Sequence, residues 1–208
     1  MKKYYLLALL PLLIGCGPKD KPADPLPPEP DPEPKETKTC TVDFRNGGFT
    51  TSSFENANTQ ASFIEWFNNH ENGEGLLRSI DYDDSTYYTQ MNYIGNEGDP
   101  NRFSTMILGS QNKTGELSFE LNYAISKITC TVQAYVKYIS YSDSYSVDTE
   151  SVFYIDTDSI DLSIDNYDEL PEEKEFSVTK RENETSFTIS SDGSRVFVHQ
   201  MIIEYFID

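Results

Sequence analysis

Two stretches in the middle of the chain alternate apolar and polar side chains with a period of two. Leu117, Phe119, Leu121 and Tyr123 are interleaved with Ser118, Glu120 and Asn122. Ile128, Cys130, Val132, Ala134, Val136 and Tyr138 are interleaved with Lys127, Thr129, Thr131, Gln133, Tyr135 and Lys137. In a helix such a pattern would spread the apolar residues around the whole cylinder, whereas in a strand it places them all on one face. The chain must therefore build sheets with one buried side.

Other segments carry the same signature. Cys40, Val42 and Phe44 alternate with Thr41, Asp43 and Arg45. Val152 to Ile155 runs into Asp156-Thr157-Asp158 and returns through Ile160 and Leu162, which reads as a hairpin. Further strands are expected at Phe176 to Val178 and Thr185 to Ile189, with a last one from Arg195 to about Tyr205 after the turn Ser191-Asp192-Gly193. Tyrosine, threonine, valine and isoleucine recur in these segments, and all suit a pleated surface. The best helical segment is Thr59 to Asn69, where Phe63, Ile64 and Phe67 share a face and Trp66 flanks it. Ser62 and Glu65 have capping-box spacing, which would start that helix late. The expectation is an all-β domain over residues 39–208, a jelly-roll-like β-sandwich with at most one or two short helices.

The chain opens on MKKYYLLALLPLLIGC, in which Lys2 and Lys3 precede an apolar run from Leu6 to Ile14. That run falls short of the roughly 20 residues a membrane-spanning helix needs, so residues 1–15 read as a secretory signal peptide. The ending Leu13-Ile14-Gly15-Cys16 resembles the lipobox of bacterial lipoproteins. The resemblance implies cleavage before Cys16, acylation of that cysteine and attachment to a membrane at the cell envelope by lipid alone.

Residues 16–38 follow as a linker. Eight of the chain's eleven prolines fall between Gly17 and Lys38, among charged residues and almost nothing apolar. Such a segment cannot form a core and favours an extended polyproline II form, reaching about 70 Å at most. Removing Lys2 and Lys3 leaves 14 basic residues against 35 acidic ones, a formal charge of −21. An acidic surface of that size excludes nucleic acid as a partner and keeps an exported domain soluble.

From Thr105 to Tyr205 the strand pattern resembles small β-sandwich modules in secreted proteins and lipoproteins of low-GC Gram-positive bacteria. The residues that carry it are Ile125, Lys127 and Ile128 at the entry to a long strand, and Arg195, Val196, Phe197 and Val198 in the closing one. That family supplies no catalytic motif. Its architecture is similar to that of carbohydrate-binding modules, an analogy of fold only.

Of the three cysteines, Cys40 and Cys130 remain beyond the lipobox, both on the apolar phase of strands. A disulfide between them would stabilise the domain by about 4–5 kcal/mol in the chain-entropy picture; two buried free thiols are the alternative. His199 shares the phase of Phe197, Met201, Ile203 and Tyr205 in a strictly alternating strand, which puts it at the margin of a core. His70 sits in a polar run, Asn68-Asn69-His70-Glu71-Asn72-Gly73, at a helix end that favours a cation. Neither histidine has a nucleophile beside it, so a noncatalytic role is expected. Asp156, Asp158, Asp161 and Asp165 lack the glycine and the closing glutamate of a calcium loop. They read as a solvated face, as do Asp81, Asp83 and Asp84. No metal or other cofactor is expected.

The aromatic residues carry the remaining signal. Tyr135, Tyr141 and Tyr145 lie on the polar phase or in the Ser/Asp-rich loop, and Tyr87-Tyr88 lie in another polar stretch. Exposed rings stack on the apolar faces of sugars, so Tyr135 and Tyr141 are the candidate ligand contacts, with an extracellular glycan or polysaccharide as the ligand; the alternative is that tyrosine here only fills strands and sandwich edges, its hydroxyl in water. An envelope protein recognised through a sheet edge or an apolar patch is the competing partner.

Overall fold

The structure is a computed structural model, and it describes residues 35–45, 48–82, 89–94, 103–110, 113–139, 144–165, 170–192 and 194–207. The expected signal segment, Cys16, most of the proline-rich stretch, Tyr87, Tyr88 and Tyr141 lie outside the described residues.

In chain order the elements are β1 (Thr37–Asp43), α1 (Ala57–Asn68), β2 (Leu77–Asp81), β3 (Thr89–Ile94), β4 (Phe103–Leu108), β5 (Gly115–Leu121) and β6 (Ile125–Ala134). They continue with β7 (Val136–Ile139), β8 (Ser144–Val147), β9 (Val152–Ile155), β10 (Asp158–Asp161), β11 (Lys174–Thr179), β12 (Ser186–Asp192) and β13 (Val196–Phe206). One sheet runs β11-β6-β13-β4-β3, with β1 also paired to β13; the other runs β10-β9-β12-β5-β2, and β7 with β8 forms a separate hairpin. All of these pairings are antiparallel. The two sheets form the expected sandwich, and the apolar phases of β1, β5, β6 and β12 face the shared core. Phe119 and Phe187 are register partners and stack with centroids 4.7 Å apart, while Phe153 meets Phe176 of the opposite sheet edge-on at 6.3 Å.

Four features depart from the sequence reading. β1 already begins at Thr37, so its first two residues belong to the sheet rather than to the linker. The long strand through Tyr138 stops at Ala134. Tyr135 donates its N–H to the Arg195 carbonyl and accepts from the Asp148 N–H, and β7 then leaves the sheet to pair with β8. Helix α1 starts earlier than the Ser62–Glu65 spacing implies, because Asn56 is its N-cap and accepts from the Thr59 N–H at 2.8 Å.

The fourth departure concerns β13. Val198 pairs with Val132 and Met201 with Cys130, so β13 carries one extra residue between them, a β-bulge at His199. The bulge reverses the phase. Val196 and Val198 face the core before it, and Met201, Ile203 and Tyr205 after it. Phe197 and His199 therefore point to the opposite side, against Phe103 and Tyr135.

Candidate functional site

The polar run that ends α1 forms one wall of a groove. Asn69 caps the helix, donating its N–H to Glu65 and Trp66 carbonyls, and the His70 N–H reaches the Phe67 carbonyl. The chain then reverses through Asn72, at φ 57° in the left-handed region. Gly73 follows, where a Cβ would stand 2.9 Å from the Phe67 carbonyl oxygen, so only glycine fits. Asn68 locks the reversal by donating to the Leu77 carbonyl and accepting from its N–H, at 2.9 and 2.8 Å.

The β5–β6 turn is tied to the same reversal. The Asn122 side chain donates to the Gly75 carbonyl at 2.7 Å and its N–H donates to the Leu76 carbonyl. These bonds set Tyr123 beside Tyr205, with ring centroids 5.2 Å apart. Tyr123 is exposed, while Tyr205 is buried and donates its hydroxyl to the Asn72 carbonyl at 2.9 Å. Burial pushes the Tyr205 phenol above its ordinary range. Together Lys38, Asn68, Asn69, His70, Asn72, Glu74, Tyr123, Tyr205 and Ile207 enclose an open groove of about 830 Å³.

His70 links this groove to the aromatic core beneath α1. Its Nδ1 lies 3.2 and 3.1 Å from the carbonyls of Trp66 and Phe67, so Nδ1 holds the proton of the neutral ring and Nε2 is left as an acceptor. The His70 ring also meets Trp66, the chain's one tryptophan, edge-on at 4.7 Å.

The sequence-predicted contacts fare differently. Tyr135 is half-buried. The Arg195 guanidinium lies over its ring at 3.6 Å and Phe197 packs against it at 4.9 Å, so the face a sugar would need on that side is occupied. Tyr145 is exposed on β8. Tyr123 and Tyr205, which the structure brings together at the groove, are strand-phase residues with no local mark of a site.

Cys40 and Cys130 are both buried free thiols, the second of the two alternatives left open by the sequence. Cys40 is opposite Ile203 and Cys130 opposite Met201, on the two sides of β13. Two strand spacings separate them, roughly 10 Å, beyond the reach of a disulfide at about 7 Å. Burial pushes the Cys40 thiol up to about 11 and that of Cys130 further.

His199 is fully enclosed rather than marginal. Its Nε2 lies 2.9 Å from Gln133 Oε1, and its Nδ1 lies 3.2 Å from the Thr105 hydroxyl. In the hairpin of acidic residues, Asp156 accepts from Lys180 Nζ at 2.7 Å and from the Thr188 N–H at 3.0 Å, while Asp161 accepts from the Ser163 N–H. These two carboxylates fasten turns.

No protein-family model and no curated protein matches this sequence. Among solved structures, the chain is similar to the GH31 alpha-xylosidase from Xanthomonas citri, at 13% identity with a TM-score of 0.24. The match covers 53% of this chain and 12% of that one, so the chain spans a small part of the length of that enzyme. A likeness that slight assigns neither a fold nor a function.

Proposed function

We propose that this protein is an envelope lipoprotein, anchored through Cys16, whose β-sandwich binds an extracellular glycan without catalysis. The observation that carries the glycan reading is the groove beside α1. It pairs an exposed ring, Tyr123, with a wall of polar side chains, Asn69, His70, Asn72 and Glu74. Sugars ask for that combination, because their C–H faces stack on aromatic rings while their hydroxyls need donors and acceptors close by. The proposed binding surface is therefore Tyr123 and the helix end in place of Tyr135, whose ring is covered.

The competing reading, docking of an envelope protein on an apolar patch, has less support. The large apolar side chains exposed among the described residues are Tyr123, Tyr145 and Leu170, which come from three separate segments. The edge strand β11 opens with two exposed charges, Lys174 and Glu175, which discourage strand addition.

A glycan and cell-wall polysaccharide array probed with the full chain, Cys16→Ser to prevent acylation, tests the glycan reading. Saturable binding that Tyr123→Ala abolishes and Tyr135→Ala spares supports the groove. An array on which nothing binds overturns it. Anchoring is tested separately by fractionating cells: the native chain is expected with membranes and the Cys16→Ser chain in the soluble fraction, and an unchanged distribution overturns the anchor.

A further inference from the structure

The walls of the groove differ in what they offer a ligand. On the strand wall stands Lys38, whose backbone is in register with Tyr205. Among the described residues that line the groove it is the only formal cation. The wall at the helix end is rich in acceptors. His70 presents Nε2 as a lone pair because Nδ1 is committed to the carbonyls of α1. Asn72 commits one N–H of its side-chain NH₂ to the Thr39 carbonyl at 2.9 Å and keeps Oδ1 as an acceptor. Glu74 adds an exposed carboxylate.

Three further contributions have the same sign. The groove lies at the C-terminal end of α1, where the aligned peptide dipoles leave a partial negative charge, and the last turn of α1 holds no basic residue to offset it. The exposed ring of Tyr123 presents a π face of negative potential. At longer range, a chain of formal charge −19 raises the local concentration of cations. A sugar hydroxyl can serve such a wall with one donated hydrogen bond. An ammonium group brings three donors, no acceptor and a positive charge, which matches the wall more completely.

We infer that the groove selects glycans whose hexosamine units carry free amines over their N-acetylated counterparts. Acetylation would remove the charge, leave a single N–H donor and add a carbonyl that meets further acceptors at His70, Asn72 and Glu74. Lys38, on the facing wall, is left to donate to a hydroxyl or ring oxygen of the same ligand. This inference rests on the glycan reading of the groove and names the class of sugar within it.

Calorimetric titration of the full Cys16→Ser chain in low-salt buffer, with a glucosamine oligosaccharide and its N-acetylated form of equal length, provides the test. The amine form should bind roughly tenfold more tightly, the combined effect of one exposed ion pair and one cation–π contact. Glu74→Gln should erase most of that preference while leaving the N-acetylated form unchanged, and Tyr123→Ala should weaken both. Raising the salt should narrow the preference. Equal affinities, or a Glu74→Gln effect shared by both sugars, would overturn the amine selectivity and leave the glycan reading standing. Failure of both oligosaccharides to bind, when the array yields another sugar that needs Tyr123, would overturn the selectivity alone. A silent array removes both readings.

Discussion

Arg195 lies flat on the ring of Tyr135, its guanidinium carbon 3.6 Å from the ring centroid, and from there it grips Asp148 through Nε and a terminal nitrogen at 2.8 and 2.9 Å. The Arg195 N–H donates to the same carboxylate, and the Arg195 carbonyl accepts from Tyr135 and Ser151. This cluster sits where β6 gives way to β7 and where β13 begins. The Asp148 side chain is only 9% exposed, so removing its partner leaves a charge that water cannot fully solvate. Arg195→Met should cost about 3 kcal/mol in urea unfolding. Arg195→Lys should rescue little, because an ammonium cannot make the planar fork or the stack. A loss below about 1 kcal/mol would mean that solvent screens the pair after all.

The buried imidazole of His199 predicts an acid-sensitive fold. Burial, helped by the nearby Arg45 charge and opposed by Glu173 and Asp43, pushes His199 down from its ordinary 6.5 to about 4. Above pH 6.5 neither the folded nor the unfolded chain holds this proton, and the stability is fully present. As the pH falls from there toward about 4, the unfolded chain binds a proton that the folded chain refuses. About 3 kcal/mol should be lost across that window. Urea unfolding at a series of pH values checks this, with His199→Gln expected to be less stable at neutral pH but flatter across the window. Identical slopes in the two proteins would assign the acid sensitivity to other groups.

The thiols should behave as inert core residues. Both are enclosed, and burial holds both above the ordinary thiol value of 9.0. Neither should react with a thiol reagent in the native protein, and both should react fully in denaturant, even after oxidising isolation. A mass two hydrogens below the reduced value, or mobility that changes on reduction, would contradict the separation across β13.

At the groove, stability and binding should part company. Tyr123 is exposed, and Tyr123→Ala should change stability by less than about 1 kcal/mol while removing glycan binding. Tyr205→Phe deletes the hydroxyl that holds the Asn72 carbonyl, at a cost of about 1 kcal/mol. It should also loosen the reversal that carries His70 and Glu74, and weaken binding several-fold. Because His70 touches Trp66, saturation of the groove should alter tryptophan emission, and Tyr123→Ala should silence that change along with binding.

Strands that bury one face and wet the other were legible in the sequence: β5, β6, β9, β12 and most of β13 follow from alternation alone. β4 was not. Ser104 and Thr105 are buried there beside Met106, Ile107 and Leu108, so the pattern dissolves. Their hydroxyls are satisfied by the Phe44, Arg45 and Val198 carbonyls and by His199, partners far away in sequence. The bulge at His199 left no local trace either, and it inverted the assignment of that residue and of Phe197. For the groove, half the signal was visible in the run from Asn68 to Gly73. The other half is a hydroxyl 133 residues further along the chain. The pairing of β13 with β1 and with β6 brings that hydroxyl to the helix end.

β13 is the last strand in the chain and the middle of its sheet. One edge pairs with β6; the other pairs with β4 along residues 196–198 and with β1 along residues 200–206. A nascent chain that has emerged only as far as Arg195 therefore holds β1, β4 and β6 with no strand to join them. Closure of that sheet waits for β13 to be made, and contacts that span so much sequence form slowly. Until it arrives, the partners that β13 joins have no shared strand through which one could steady another.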